Sequence, residues 1–177
     1  DRLRRISSRT IRDWDVQSSL RPAFSGLQES LPSDFFGFEP GSDRNLFTYE
    51  QLIDYLMELD QQSDRIRMEE IGHSPMGRPM YIAFISSEEN IAQLESMKKV
   101  NRELALNPDI EPEVLQGMIR DGKVFVLATL SMHSSEVAPS QAAPLIAYEL
   151  ATTSDKKKLE WLRNVVYMMV PNHNPNG

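Results

Sequence analysis

Apolar residues along the chain change their period several times, and each change marks an element. Tyr49, Leu52, Ile53, Leu56 and Leu59 recur at helical spacing and define one buried stripe. Thr48, with Gln51 three residues on, forms a capping box that opens this helix, and Ser63-Asp64 closes it. Residues 66–71 and 79–86 then read as paired strands, the second carrying the β-rich run Tyr81-Ile82-Ala83-Phe84-Ile85. The Gly and Pro punctuation of Gly72 to Pro79 between them suits a hairpin turn, with His73 inside it. Residues 88–106 return to a helical pattern through Ile91, Leu94, Met97 and Leu104, until Asn107-Pro108 breaks it. A short helix over about 112–120 leads to Asp121-Gly122.

Next comes Val124-Phe125-Val126-Leu127-Ala128-Thr129-Leu130, continuous rather than alternating, which predicts a strand buried on both faces. Helical spacing resumes after Glu136 through Ala142, Leu145, Ile146 and Leu150. Pro139 suits a first turn, whereas Pro144 predicts a kink or a delayed start. A helical piece over about 155–163 precedes a second buried strand, Val165 to Val170, closed by Pro171. Strands alternating with helices predict an α/β fold: a mixed, largely parallel sheet behind an opening hairpin, with helices on both faces. Residues 1–46 hold no period and read as an extended lead-in to a domain over 47–177. The aromatics Phe35, Phe36 and Phe38 in this lead-in are expected to pack on the domain surface rather than to line a substrate cleft.

Composition narrows the function classes. A net charge of −7 on 177 residues argues against bulk attraction to nucleic acid or anionic membranes. The charge is uneven, since residues 1–21 hold six arginines against three aspartates, a net +3 that reads as a solvated basic extension. The lack of cysteine removes disulfides, thiolate zinc ligands and thiol nucleophiles together. No stretch approaches the roughly 18 apolar residues of a membrane span, and no signal-peptide core is visible. The chain does not begin with Met and stops at Gly177 inside a turn sequence, so a fragment is expected.

The candidate chemistry lies at Ser131-Met132-His133-Ser134-Ser135-Glu136, just past the apolar strand. In open α/β sheets, ligands bind outside the carboxyl ends of the strands. An imidazole and a carboxylate placed there suit a divalent metal, most naturally zinc. His-x-x-Glu alone is a common match; its position at a strand end gives it weight. The alternative is that His133 bonds a loop carbonyl and Glu136 merely caps the helix. Catalytic zinc takes three protein ligands and keeps a position for water, so a third ligand is required. His173, after the next strand, is the remaining histidine besides His73, and it also reads as a loop residue of the turn-rich run Pro171 to Gly177. There is no Gly-x-Ser-x-Gly elbow and no glycine-rich phosphate loop.

Three motifs taken in order resemble the zinc carboxypeptidases of the carboxypeptidase A type. Glu70 to Pro79 is similar to that family's "IGxSxxGRP" hairpin, and His133-Ser134-Ser135-Glu136 to the His-x-x-Glu that supplies two zinc ligands. Val170 to Gly177 is similar to its "P-x-x-NPDG" segment, and the capped helix at 48–60 sits where the family has its first helix. The resemblance spans about residues 47–177. It implies zinc as cofactor, with His133 and Glu136 as metal ligands, and hydrolysis of an amide bond near the C-terminus of a peptide or protein substrate by a zinc-bound water. It also implies that the third ligand, a histidine, the general-base glutamate and the substrate-holding Arg and Tyr lie downstream of Gly177. The chain then corresponds to the N-terminal half of the catalytic domain, inactive alone, with no catalytic base of its own and His173 unassigned. Relatives of this kind commonly work outside the cytoplasm, so a secreted or periplasmic location is expected.

Two positions depart from the family pattern. Ser135 stands where the digestive enzymes often carry a substrate-binding Arg, and Asn176 stands for the Asp of the turn. The first leaves substrate recognition open, and the second is a mild change in a turn that accepts Asn as readily as Asp. Three readings are in play: a metallopeptidase, an amide deacylase using the same chemistry, and an inactive binding module on the same fold.

Overall fold

The computed structural model describes residues 29–133 and 135–176. The basic leader over residues 1–21 lies outside the described residues. The elements run α1 (Pro32–Phe36), α2 (Tyr49–Gln62), β1 (Ile66–His73), β2 (Pro79–Ile85), α3 (Glu88–Ala92), α4 (Leu94–Leu106), α5 (Pro112–Asp121), β3 (Val124–Thr129), α6 (Val137–Thr152), α7 (Lys156–Asn164) and β4 (Val165–Val170).

The four strands form one mixed sheet in the order β1-β2-β4-β3. The hairpin β1–β2 and the β2–β4 ladder are antiparallel, and the parallel pairing of the described residues is β3 with β4. This one parallel ladder is what the α6–α7 crossover builds, because parallel neighbours need a long connection. Side chains alternate across the sheet with period two and feed two cores. Ala83, Ile85 and Met169 join Leu52, Leu56 and Leu59 of α2 and the alanines of α6 on one face. Ile82, Phe84, Val166 and Val170 join Ile91 of α3 and Leu94 of α4 on the other. Helices therefore cover both faces.

Local chemistry explains most element ends. The Thr48 hydroxyl accepts from Gln51 N at 3.2 Å while the Gln51 side chain accepts from Thr48 N at 2.9 Å, completing the capping box at α2. In α6, Ala143, Ala147 and Ala151 recur every fourth position and are all buried, so the helix lies close against the sheet and α2. That helix starts at Val137 and continues through Pro144, so the expected delayed start is not observed; Pro144 sits fully buried inside it. The Phe residues of the lead-in pack as expected. Phe36 stacks on Phe47 at 4.3 Å between ring centroids, and Phe35 meets Tyr55 edge-on at 5.2 Å, with Phe35 and Phe36 held on the short helix α1.

Further features differ from the sequence reading. The 88–106 helix is two helices, broken at Gln93, because α3 is tied down separately. Asn90, at its centre, is buried and donates to Ser86 Oγ at 3.0 Å and to the Leu162 and Arg163 carbonyls at 3.0 and 3.1 Å. His73 is not in the turn but closes β1 opposite Pro79, since a bulge between Glu70 and Gly72 lengthens the strand; Gly72, at φ +127°, supplies the backbone a side chain would resist. The β3 run is not buried on both faces. It is the edge of the described sheet with β4 as its one neighbour there, and Val124 and Leu127 are 61% and 57% exposed. Continuous hydrophobicity reports that a strand is meant to be covered, not that its nearest chain segments do the covering.

Candidate metal centre

Because β3 and β4 are parallel and in register, Thr129 opposite Val170, their chains leave the sheet side by side. Leu130 N donates to the Val170 carbonyl at 3.0 Å and His173 N donates to the Leu130 carbonyl at 2.7 Å, so the two exit loops stay zipped beyond the strands. The first carries His133 and leads into α6; the second is the 171–176 turn.

Ser131 turns the first loop. It adopts φ +48°, a left-handed backbone that redirects the chain immediately after the strand, and it is 93% buried (7% exposed). Two residues on, His133 Nδ1 lies 2.8 Å from Glu136 Oε1, and His133 N donates to Glu136 Oε2 at 3.2 Å. Both side chains are open to solvent, 69% and 48% exposed. Glu136 occupies the N-cap position of α6, yet its carboxylate caps no helical N–H; it turns back to the histidine instead. These bonds from the His133 side chain and backbone hold the Glu136 carboxyl below its usual range. The His133 ring thus bonds Glu136 rather than a loop carbonyl, and Glu136 caps no helical N–H.

An imidazole and a carboxylate are donor types that zinc takes, but at 2.8 Å they are hydrogen-bonded to each other. Two ligand atoms each about 2.0–2.2 Å from a tetrahedral zinc stand about 3.3–3.5 Å apart, so the pair would have to part by about half an ångström to share an ion. Among the described residues no group of three His, Cys, Asp or Glu converges on a metal position. His173 is held by its backbone and exposed, and it does not join the pair. His73, the last residue of β1, instead faces Glu70, Nδ1 to Oε1 3.6 Å.

The pair opens on a cleft of about 200 Å³ whose walls include Leu46, Phe47, Arg78, Ser140, Asn172 and Asn174. Arg78 comes from the hairpin loop, where Ser74 and Gly77 close a tight turn: Arg78 N donates to Ser74 Oγ at 3.0 Å, Ser74 N donates to the Arg78 carbonyl at 2.8 Å, and Gly77 takes φ +82°. The Arg78 guanidinium then crosses to the other loop and donates to the Pro175 carbonyl at 2.5 Å, with Glu50 at 3.7 Å. Asn176 Oδ1 is buried and has no hydrogen-bond partner among the described residues. Arg78, Ser131 and Asn172 drew no functional reading from the sequence. Arg78 had a signal there, its place in the Gly-Arg-Pro of the hairpin; Ser131 and Asn172 had none beyond adjacency to the motifs.

The fold thus places a His-x-x-Glu pair at the exit of a parallel strand. The zinc carboxypeptidase family profile matches residues 52–177. The chain belongs to the zinc carboxypeptidase family. Among solved structures it is similar in fold to the carboxypeptidase A from Helicoverpa armigera, with TM-score 0.50, 17% identity, and coverage of 82% of this chain and 31% of that one. It is equally similar in fold to thrombin activatable fibrinolysis inhibitor, with TM-score 0.50, 11% identity, and coverage of 82% and 32%. The chain thus spans about a third of the length of these structures. No sequence relative among curated proteins was found. No helix of the described residues is long and apolar enough to cross a membrane.

Proposed function

We propose that this chain supplies the N-terminal part of a zinc-dependent carboxypeptidase, with residues 47–177 in its catalytic domain and 1–46 as a lead-in. The observation that carries this reading is the His133–Glu136 pair, Nδ1 to Oε1 at 2.8 Å, standing open at the parallel strand ends. In this reading His133 and Glu136 are two of the zinc ligands. Bound zinc acidifies a water and polarises a substrate carbonyl, which makes amide hydrolysis accessible near neutral pH.

The chain's own residues do the holding and orienting. Glu136, exposed and with its carboxyl pKa lowered by its bonds from His133, offers a carboxylate. For His133 to ligate through Nδ1, its proton must sit on Nε2, so Nδ1 serves either its hydrogen bond as donor or a metal as acceptor, not both. Arg78 ties the hairpin loop to the 172–176 turn, whose Asn172, Asn174 and Pro175 line the same cleft. A third ligand and a general base complete such a site, and the family resemblance puts both downstream of Gly177. The substrate in this reading is a peptide or protein, and the location is outside the cytoplasm.

Ser135, standing where a substrate-binding Arg is common in the digestive enzymes, favours a second reading in which the same centre removes an acyl group from an amide. The test is incubation of the full-length zinc-loaded protein with a peptide library and, in parallel, N-acyl amides. Release of C-terminal residues supports the carboxypeptidase reading; turnover of the acyl amides alone moves the assignment to deacylation. Turnover of neither, with zinc bound, leaves a binding module.

A further inference from the structure

We propose that Ser131 is a positioning residue for the His133–Glu136 pair, acting through its hydroxyl on the backbone of Glu136; the inference rests on the zinc reading above. The hydrogen bonds around that hydroxyl have a single consistent direction. Ser131 Oγ lies 2.7 Å from the Glu136 carbonyl, which can only accept, so the one hydroxyl proton of Ser131 goes there. Its two lone pairs then receive Ser140 N–H at 3.0 Å and the Ser140 hydroxyl, which forms a short hydrogen bond with it. Ser140 Oγ in turn accepts from Asn172 Nδ2 at 3.5 Å. The relay runs from Asn172, in the loop after β4, through Ser140 on α6 and Ser131 at the end of β3, to the carbonyl of Glu136.

The place where this relay ends gives it its consequence. A regular first helical turn joins the carbonyl of residue i directly to the N–H of residue i+4, here Glu136 and Ser140. The Ser131 hydroxyl is inserted between these two groups and bonds both. The start of α6 is therefore tied to the end of β3 through this hydroxyl. Glu136 is held with backbone angles of φ −89° and ψ 68°, outside the helix, and its carboxylate faces back to His133. Ser131 does this from a left-handed backbone that a serine adopts at a cost and from a position 93% buried, where an unmatched hydroxyl would also be costly. A residue held so, with its hydroxyl fully paired, is explained by what it orients.

The experiment uses the full-length protein and its Ser131→Ala, Ser131→Gly and Ser140→Ala variants. Ser131→Gly removes the hydroxyl while accepting the positive φ freely, so it separates the hydroxyl from the backbone strain. Zinc dissociation constants are measured by chelator competition, and thermal midpoints on the metal-free proteins. Outer partners of metal ligands typically contribute 10–100-fold to affinity. The expected result is a loss of zinc affinity of about that size in both Ser131 variants, and a smaller loss in Ser140→Ala, which keeps the Ser140 N–H bond. A metal-free Ser131→Gly protein should melt close to wild type while still binding zinc weakly. Zinc affinity within about twofold of wild type in Ser131→Gly, whatever its melting point, overturns the positioning role. Wild type that binds no zinc removes the metal reading itself, and metal-free NMR then decides the relay. His133 ring signals that shift in Ser131→Gly support it, and unchanged signals overturn it.

Discussion

The Arg78 guanidinium donates to the carbonyl of Pro175, 97 positions along the chain, at 2.5 Å. This bond joins the β1–β2 hairpin to the turn after β4, two of the three segments that carry the family resemblance, and the third, His133 to Glu136, stands in the same cleft. The hairpin motif thus reaches the cleft through one side chain that holds the 172–176 turn.

Replacing that side chain tests the link. Arg78→Ala removes a charge-assisted bond from a half-exposed group, so it should destabilise the full-length protein by about 1–2 kcal/mol in urea unfolding. Arg78→Lys keeps the charge but not the rigid fork, and should recover only part of the loss. Wild-type stability in Arg78→Ala would show that the bond contributes nothing.

Asn90 offers a sharper case because its amide is buried. It ties α3 to the Leu162 and Arg163 carbonyls at the end of α7, alongside the Ser86 hydroxyl, which donates within 2.8 Å of Leu162 O and 2.7 Å of Val165 O. Asn90→Ala strands acceptors away from water, and about 2–3 kcal/mol of stability should be lost. Asn90→Asp should lose more, since a carboxylate there would face carbonyl oxygens. Denaturant midpoints of the two variants decide it: equal or reversed losses contradict the network.

The Tyr49 hydroxyl donates to the Pro79 carbonyl at 2.8 Å, and burial, ahead of the nearby Tyr81 and Glu50, pushes its pKa up from 10.0 to about 12. A raised pKa means that the fold favours the neutral phenol. Its stabilising contribution is complete below pH 10 and is lost as pH rises from about 10 to about 12. In alkaline titration of the full-length protein, Tyr49→Phe should remove one late-ionising tyrosine and flatten the loss of stability in that window. An unchanged tyrosine titration curve would contradict the assignment.

How much of this was legible depended on the range of the interaction. The Thr48–Gln51 capping box was readable because its donors and acceptors lie three residues apart and need no tertiary partner. The β2 and β4 strands were readable because their sequence shows the apolar content that two helical layers cover. The Gln93 break was not, since it follows from Asn90 reaching carbonyls more than 70 residues away. The place of His73 on β1 was hidden by a bulge, which shifts register without a composition signal. At the site, His133 and Glu136 could be picked out by spacing and strand-end position. Ser131 could not: its meaning lies in a positive φ and in contacts to Glu136, Ser140 and, through Ser140, to Asn172 on the next loop.

The central claim is that His133 and Glu136 hold zinc together. The most direct measurement is the zinc content of the full-length protein by elemental analysis, compared with His133→Ala and Glu136→Ala. About one zinc per chain is expected in wild type, falling to near zero in Glu136→Ala, because two remaining ligands of a three-ligand site hold the ion weakly. Metal content that is the same in wild type and Glu136→Ala would contradict the assignment.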